Sequence, residues 1–150
     1  MPTHWKGTEK ETRALNAFIK LNRAVESLNL RLHQRGTQGD LTPSQFAVLE
    51  VLYHLGSLCQ GEISAKILKS SGNMTMVLDN LEKRGFVRRL RDTDDRRQVR
   101  IELTESGREK IETVLPVHIA AVVEEMSTLT PEEQELLGDL SRKLGLQPSK

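Results

Sequence analysis

Eight basic side chains crowd the stretch from Lys83 to Arg100 (Lys83, Arg84, Arg88, Arg89, Arg91, Arg96, Arg97 and Arg100), opposed there only by Asp92, Asp94 and Asp95. The stretch carries +5 in a chain whose net charge is +1, so the other 132 residues sum to −4. Such a cluster draws a polyanion to one place while the remainder repels it, which favours a defined orientation over general stickiness. A solvated charged face is the bland alternative. Just upstream, Ser70, Ser71, Gly72 and Asn73 combine small polar side chains with the free backbone N–H groups of a helix start, a combination suited to close approach to phosphates and base edges. Within the cluster, Asp95 precedes Arg97 by two residues, near enough to hold its guanidinium in one direction; taken alone, such a pair is an ordinary surface ion pair.

Enzyme chemistry finds little to use here. The sequence holds no glycine-rich phosphate loop, no nucleophile elbow and no His/Cys cluster at metal-ligand spacing. Glu50 and His54 stand one helical turn apart without a further ligand in step, and Glu124-Glu125 and Glu132-Glu133 point to different sides of a helix, so no catalytic residue, metal or cofactor is expected. Aromatic residues make up 3% (Trp5, Phe18, Phe46, Tyr53, Phe86), too few for a stacking platform for single strands. One cysteine, Cys59, forms no internal disulfide, the opening MPTHWKGTEKETR is unlike a secretory leader, and no apolar run approaches the roughly 20 residues of a membrane span. These features point to a cytoplasmic protein. With 150 residues, 37% of them hydrophobic, the chain is expected to fold as one unit.

Helical elements dominate the chain that must position the basic cluster. From about Glu9 to Arg35, Phe18, Leu21, Val25, Leu28 and Leu32 recur at alternating spacings of three and four, an apolar seam on a helix of roughly 40 Å. That is longer than a small domain needs, so part of it is expected to pack on another chain. Thr42-Pro43-Ser44-Gln45 reads as a cap, first-turn proline and capping box for a helix burying Phe46, Leu49, Val51, Leu52 and Tyr53. A two-turn helix follows at Glu62–Lys69, with Ile63, Ile67 and Leu68 inward. Ser70 to Asn73 then supplies a turn and cap for a helix running to Arg84, closed by Gly85.

In that last helix Met74, Val77, Leu78 and Leu81 form one buried face. Gly72, Asn73, Thr75, Met76, Asp79, Asn80 and Lys83 are left on or beside the open face. Phe86–Arg91 and Val99–Leu103 pair as a β-hairpin around an acidic and basic tip. Thr104 caps a long helix, broken or bent near Pro116, and Thr130-Pro131-Glu132-Glu133 starts a final helix ending at Gly145. Glu105 to Lys143 carries −5. Two short helices, a tight turn and a basic hairpin are the parts of a winged helix-turn-helix, with the second helix in a major groove and the arginine tip beside a minor groove.

The stretch from Asp79 to Arg89 (DNLEKRGFVRR), continuing through Asp92-Thr-Asp-Asp-Arg-Arg97 to Leu103-Thr-Glu-Ser-Gly107, resembles the MarR family of winged-helix transcription regulators, and the likeness extends over nearly the whole chain. It implies a mainly α-helical homodimer with a small β-hairpin wing. Residues 1–36 and 105–150 would form the intertwined dimerisation helices, and 40–104 the winged helix-turn-helix. The same resemblance places Ser70, Ser71, Asn73, Thr75, Met76 and Asn80 in or near the major groove, sends Arg97 into the minor groove and makes Asp95 its orienting partner. Lys83 and Arg96 join them as DNA-binding residues. Many members carry arginine where this chain has Met76, which implies an apolar contact to a thymine methyl in place of guanine reading.

The function so implied is sequence-specific binding of double-stranded DNA at a pseudo-palindromic operator, with repression relieved by a small-molecule or oxidative effector. Some members sense oxidants through a thiol, but Cys59 lies in the loop before the helix-turn-helix and no charged neighbour in sequence lowers its pKa, so it reads as a packing residue. A small phenol or aromatic acid is the other effector class the resemblance suggests. Two alternatives remain open at this point: a helical dimer whose basic hairpin docks an acidic protein and never touches DNA, and an architectural DNA binder that does not read sequence. Asn73, Thr75 and Asn80, which offer hydrogen bonds to base edges, speak against the second.

Overall fold

The computed structural model describes residues 2–67, 71–95 and 97–146, without the side chains of Ser71 and Gly72. Among the described residues six helices and three short strands follow in the order α1 (Glu9–Gln34), α2 (Pro43–Leu55), β1 (Leu58–Cys59), α3 (Gln60–Ile67), α4 (Ser71–Lys83), β2 (Val87–Arg91), β3 (Val99–Leu103), α5 (Glu105–Met126) and α6 (Pro131–Gly145). The chain divides into two units, one built of Gly36–His118 and the other of Met1–Arg35 with Ile119–Lys150.

In the Gly36–His118 unit the expected capping box of α2 is present: Thr42 Oγ1 accepts from the Gln45 amide and Gln45 Oε1 from the Thr42 amide, both at 3.1 Å. Phe46, Val48, Leu49 and Leu52 of α2, Ile63 of α3, Met74, Leu78 and Leu81 of α4, Val87 and Ile101 of the sheet, and Ile111, Val114 and Leu115 of α5 form one core. The strands are antiparallel in the order β1-β3-β2. The hairpin pairs Val87 with Leu103 and Arg91 with Val99, and Leu58 pairs with Ile101 on the other side of β3. The third strand, β1, was not expected; two residues are too few to show an alternating pattern.

Several boundaries differ from the sequence expectation. Helix α3 starts at Gln60, two residues before Glu62. Helix α4 already includes Ser71, Gly72 and Asn73, and Leu68, Lys69 and Ser70 fall outside the described residues. Helix α5 is neither broken nor ended at Pro116 but continues to Met126. Proline removes one N–H and crowds the preceding turn, a penalty that neighbouring helical residues outweigh here.

The chain crosses from wing to α5 through a close backbone approach. Thr104 Oγ1 accepts from the Gly107 amide at 3.0 Å, and the Thr104 amide donates to the Phe86 carbonyl at 3.1 Å. A Cβ on Gly107 would lie 1.9 Å from that same Phe86 oxygen. Asp40 ties the loop before α2 to two further elements, with Oδ1 2.7 Å from Lys110 Nζ of α5 and Oδ2 2.7 Å from Arg84 Nη2 after α4. Its carboxyl is held below the ordinary range, mostly by the Lys110 hydrogen bond.

In the other unit, α1 opens on a full capping box between Thr8 and Glu11, and α6 on one between Thr130 and Glu133. Arg31 Nε meets Glu125 Oε2 at 2.6 Å, and Arg35 reaches Glu124 and Glu125 at 2.8 and 3.0 Å. Among the described residues neither α1 nor α6 buries a single side chain. Phe18, Leu140 and Leu144 are each more than half exposed, and with Ala14, Leu21 and Leu137 they line a groove of about 640 Å³ whose walls are almost wholly apolar.

Gly107→Ala is expected to destabilise the protein by about 1–3 kcal/mol, because backbone atoms must move to admit the methyl group; urea unfolding measures it. Asp40 stabilises the fold above its ordinary pKa of 3.8, and that contribution disappears as the pH falls through the lowered folded value. Asp40→Asn therefore lowers the thermal midpoint at pH 7, and the gap from the parent closes on acidification below 3.8, as scanning calorimetry across pH would show.

Candidate nucleic-acid interface

The rotation of α4 is set by its apolar stripe. Met74, Leu78 and Leu81 are completely buried, so the helical period turns Asn73, Thr75, Met76, Asp79, Asn80 and Lys83 outward. Met76 is 67% exposed. Met76, Asp79, Asn80 and Lys83 share one shallow concavity on this face with Glu82. The expectation for these side chains thus agrees with where they stand. Ser70 and Arg96 lie outside the described residues, as does the Ser71 side chain, although the Ser71 backbone is the first residue of α4.

Sequence reasoning missed Gln60. Its Nε2 donates to Thr75 Oγ1 at 2.8 Å, joining the start of α3 to the exposed face of α4. A polar side chain at a helix start, with its partner fifteen residues on, leaves no local pattern to detect. The pair places an amide next to the Thr75 hydroxyl and limits the rotamers of both.

The basic cluster is largely paired. Arg84 meets Asp40; Arg88 meets Glu102 directly across the β2-β3 ladder; Arg89 Nη2 lies 2.7 Å from Asp79 and Nη1 3.0 Å from Glu82; Arg100 Nη1 lies 3.5 Å from Asp92. Most of these acids lie outside the segment whose charge was counted. The local +5 therefore overstates the field that a polyanion meets. Arg89, two residues after the buried Val87, shares its face of the strand, and so reaches inward to α4 and ties the hairpin to Asp79 and Glu82.

Arg97 differs from its neighbours. Its side chain is 92% exposed, and Asp95 Oδ1 accepts from both its amide at 3.0 Å and its Nε at 3.3 Å. The expected Asp95–Arg97 pair is present, with one carboxylate oxygen meeting both the Arg97 amide and its Nε. Below the tip, the Asp92 amide donates to the Gln98 carbonyl at 2.9 Å and closes the loop.

Cys59 lies at the base of the same hairpin, its Sγ 3.2 Å from Gln98 Oε1. Desolvation, with a further contribution from Glu62, pushes its pKa above the ordinary thiol value, while Arg100 opposes the shift. The neutral thiol is thus favoured at pH 7, in keeping with a packing residue. Glu50 and His54 approach to 3.8 Å, and no group of three metal-ligating residues occurs among the described residues. His118 Nδ1 instead lies 3.1 Å from Thr37 Oγ1, with its ring 4.7 Å from that of Phe46. No helix of the described residues is long and apolar enough to cross a membrane.

Comparison with known proteins agrees with this geometry. Residues 41–99 match the MarR family model. The chain is 37% identical to the HTH-type transcriptional regulator MhqR of Bacillus subtilis (strain 168), over 93% of this chain and 94% of that protein. Among solved structures it is similar to a cysteine-to-serine mutant of MarR from E. coli complexed with operator DNA, at 28% identity and a TM-score of 0.73, covering 86% of this chain and 96% of that one. It is also similar to NadR in complex with 4-hydroxyphenylacetate, at 26% identity and a TM-score of 0.77, covering 99% and 100%. A winged helix-turn-helix with an outward polar helix face and an arginine-tipped wing, matched along almost its full length by such relatives, makes this chain a member of the MarR family of DNA-binding transcriptional regulators.

Proposed function

We propose that this regulator acts in the cytoplasm as a homodimeric repressor on a pseudo-palindromic operator in double-stranded DNA, and that a small aromatic acid or phenol releases it. The observation that carries the DNA-reading part is Arg97: it projects into solvent under the control of Asp95, while Arg84, Arg88, Arg89 and Arg100 are engaged with acids. A narrow minor groove concentrates negative potential, and an arginine already aimed loses less freedom on entering it. Helix α4 takes the major groove. Ser70, Ser71 and the helix start approach the backbone, Asn73, Thr75 and Asn80 read base edges, Met76 packs on a thymine methyl, and Lys83 and Arg96 meet phosphates.

The dimer reading rests on α1 and α6, which bury no side chain among the described residues. An apolar face along α1 and α6 fits a second copy of itself, with residues 1–36 and 105–150 as the dimerisation region. Two recognition helices then meet successive major grooves when they stand roughly 34–36 Å apart, and a ligand that favours another separation releases the operator. The NadR complex supports the aromatic class of effector; the raised pKa of Cys59 weighs against a thiol switch.

Fluorescence anisotropy on duplex from upstream of the chain's own coding region, against a shuffled duplex, is expected to show a preference of ~10³ or more; equal binding to both would defeat sequence-specific reading of that duplex. Arg97→Ala should weaken binding and reduce the salt slope by about one, whereas Asn73→Ala should cost about 1–3 kcal/mol of preference between sites with little change in slope. Leu140→Glu should yield monomers in sedimentation analysis and lose operator affinity, because a charge would be buried in the apolar dimer face.

A further inference from the structure

Among the arginines of the hairpin, Arg100 is engaged with other groups of the protein through all three of its nitrogens. Its Nη2 donates to the Ser57 carbonyl at 2.6 Å, its Nε to Ser57 Oγ at 3.3 Å, and its Nη1 lies 3.5 Å from Asp92 Oδ2. Ser57 immediately precedes β1, so the guanidinium joins the body of the helix-turn-helix to the foot of the wing tip. Asp92 is the relay. While one of its oxygens faces Arg100, the other accepts from the Asp94 amide at 2.9 Å and holds the first turn of the tip. The Gln98 amide then donates to the Asp95 carbonyl at 3.0 Å, and the Asp95 side chain aims Arg97. The Asp92 side chain is only 14% exposed, against 92% for Arg97 at the end of the relay.

We infer that Arg100 is a positioning residue of the wing: through Ser57 and Asp92 it sets the place from which Arg97 reaches DNA, and it does not contact DNA itself. This rests on the minor-groove role proposed above for Arg97. The Asp92 carboxyl is held below its usual range, first by the Asp94 amide and also by Arg100, as a relay of two favourable partners requires. Charge alone does not meet the demand. A planar fork spans the Ser57 carbonyl and the Asp92 carboxylate together, whereas the single ammonium of lysine, on a flexible stem, does not reproduce that geometry. Arg100 was thus counted among the polyanion-attracting residues by its type, while its contacts assign it to the scaffold.

The test is a double-mutant cycle with Arg100→Lys and Arg97→Ala, read as operator affinity at several salt concentrations. Arg100→Lys keeps the charge, and is expected to weaken binding roughly five- to tenfold with an unchanged salt slope. In the Arg97→Ala background the same change should have almost no further effect, since its target is gone. Asp92→Asn gives an opposed expectation to simple electrostatics. Removal of an acid near DNA should tighten binding, yet loss of the relay should weaken it, and the inference requires weakening. That variant leaves the Asp94 amide its acceptor, so it carries the comparison if Arg100→Lys lowers the unfolding midpoint.

Additive effects of Arg100→Lys and Arg97→Ala, a slope reduced by about one in Arg100→Ala, or tighter binding by Asp92→Asn would each overturn the inference. If Arg97→Ala weakens binding while Arg100→Lys does nothing, the minor-groove reading stands and the positioning role falls. If Arg97→Ala itself changes nothing, the minor-groove reading fails and takes the positioning role with it.

Discussion

Burial of Met74, Leu78 and Leu81 fixes how α4 is turned about its own axis, and the set of residues that α4 turns outward follows from that rotation. Each fully buried side chain contributes about 1.5–3 kcal/mol, whereas an exposed ion pair contributes roughly 0–1 kcal/mol. The apolar stripe therefore decides the orientation, and the polar face is its complement. Elements packed on α4 serve the same constraint: α2, α3 and β2 contact it, and Arg89 joins the hairpin to Asp79 and Glu82. A helix rolled by one residue would turn Met74 to solvent and bring Thr75 inward, at the expense of core and recognition surface together.

The acids in and around the hairpin have a related consequence. Asp40, Asp79, Glu82, Asp92 and Glu102 neutralise arginines that would otherwise form one diffuse positive surface. A diffuse surface binds any duplex, because counterion release is indifferent to sequence. Pairing the scaffold arginines leaves a smaller set of cations to act from defined positions. That division shifts the balance from general affinity toward directed contact, as a regulator that must find one site among many requires.

Much of this was legible in the sequence because it rests on local rules. Thr42-Pro43 and Thr130-Pro131 start helices where caps and first-turn prolines predict, and the spacing of Met74, Val77, Leu78 and Leu81 identified both faces of α4. Asp95 and Arg97 are neighbours in sequence, and so their pairing was readable too. What escaped notice depends on register or on distant partners. Arg88 finds Glu102 only once the hairpin is aligned; Gln60 finds Thr75, and Arg100 finds Ser57, across forty or so residues in the latter case. At Pro116 a local rule predicted a break or a bend, and the break does not occur: α5 runs through the proline to Met126. The alternative of a protein-docking hairpin, open on charge alone, yields to the family membership.

The second unit follows a different logic. Its helices α1 and α6 are capped locally at Thr8 and Thr130, and Arg31 and Arg35 join α1 to Glu124 and Glu125 of α5, while Phe18, Leu140 and Leu144 remain more than half exposed. Local stabilisation makes helices; it does not supply the apolar burial on which a stable helical assembly depends. Phe18, Leu140 and Leu144 supply that burial only when another apolar surface covers them. Symmetric pairing meets the need with no additional sequence, since the same face is donor and acceptor of contacts in each copy. In the dimer proposed above, folding of this unit and spacing of the two recognition helices would depend on one interface, and a ligand that altered the interface would alter DNA affinity without approaching the residues that read it.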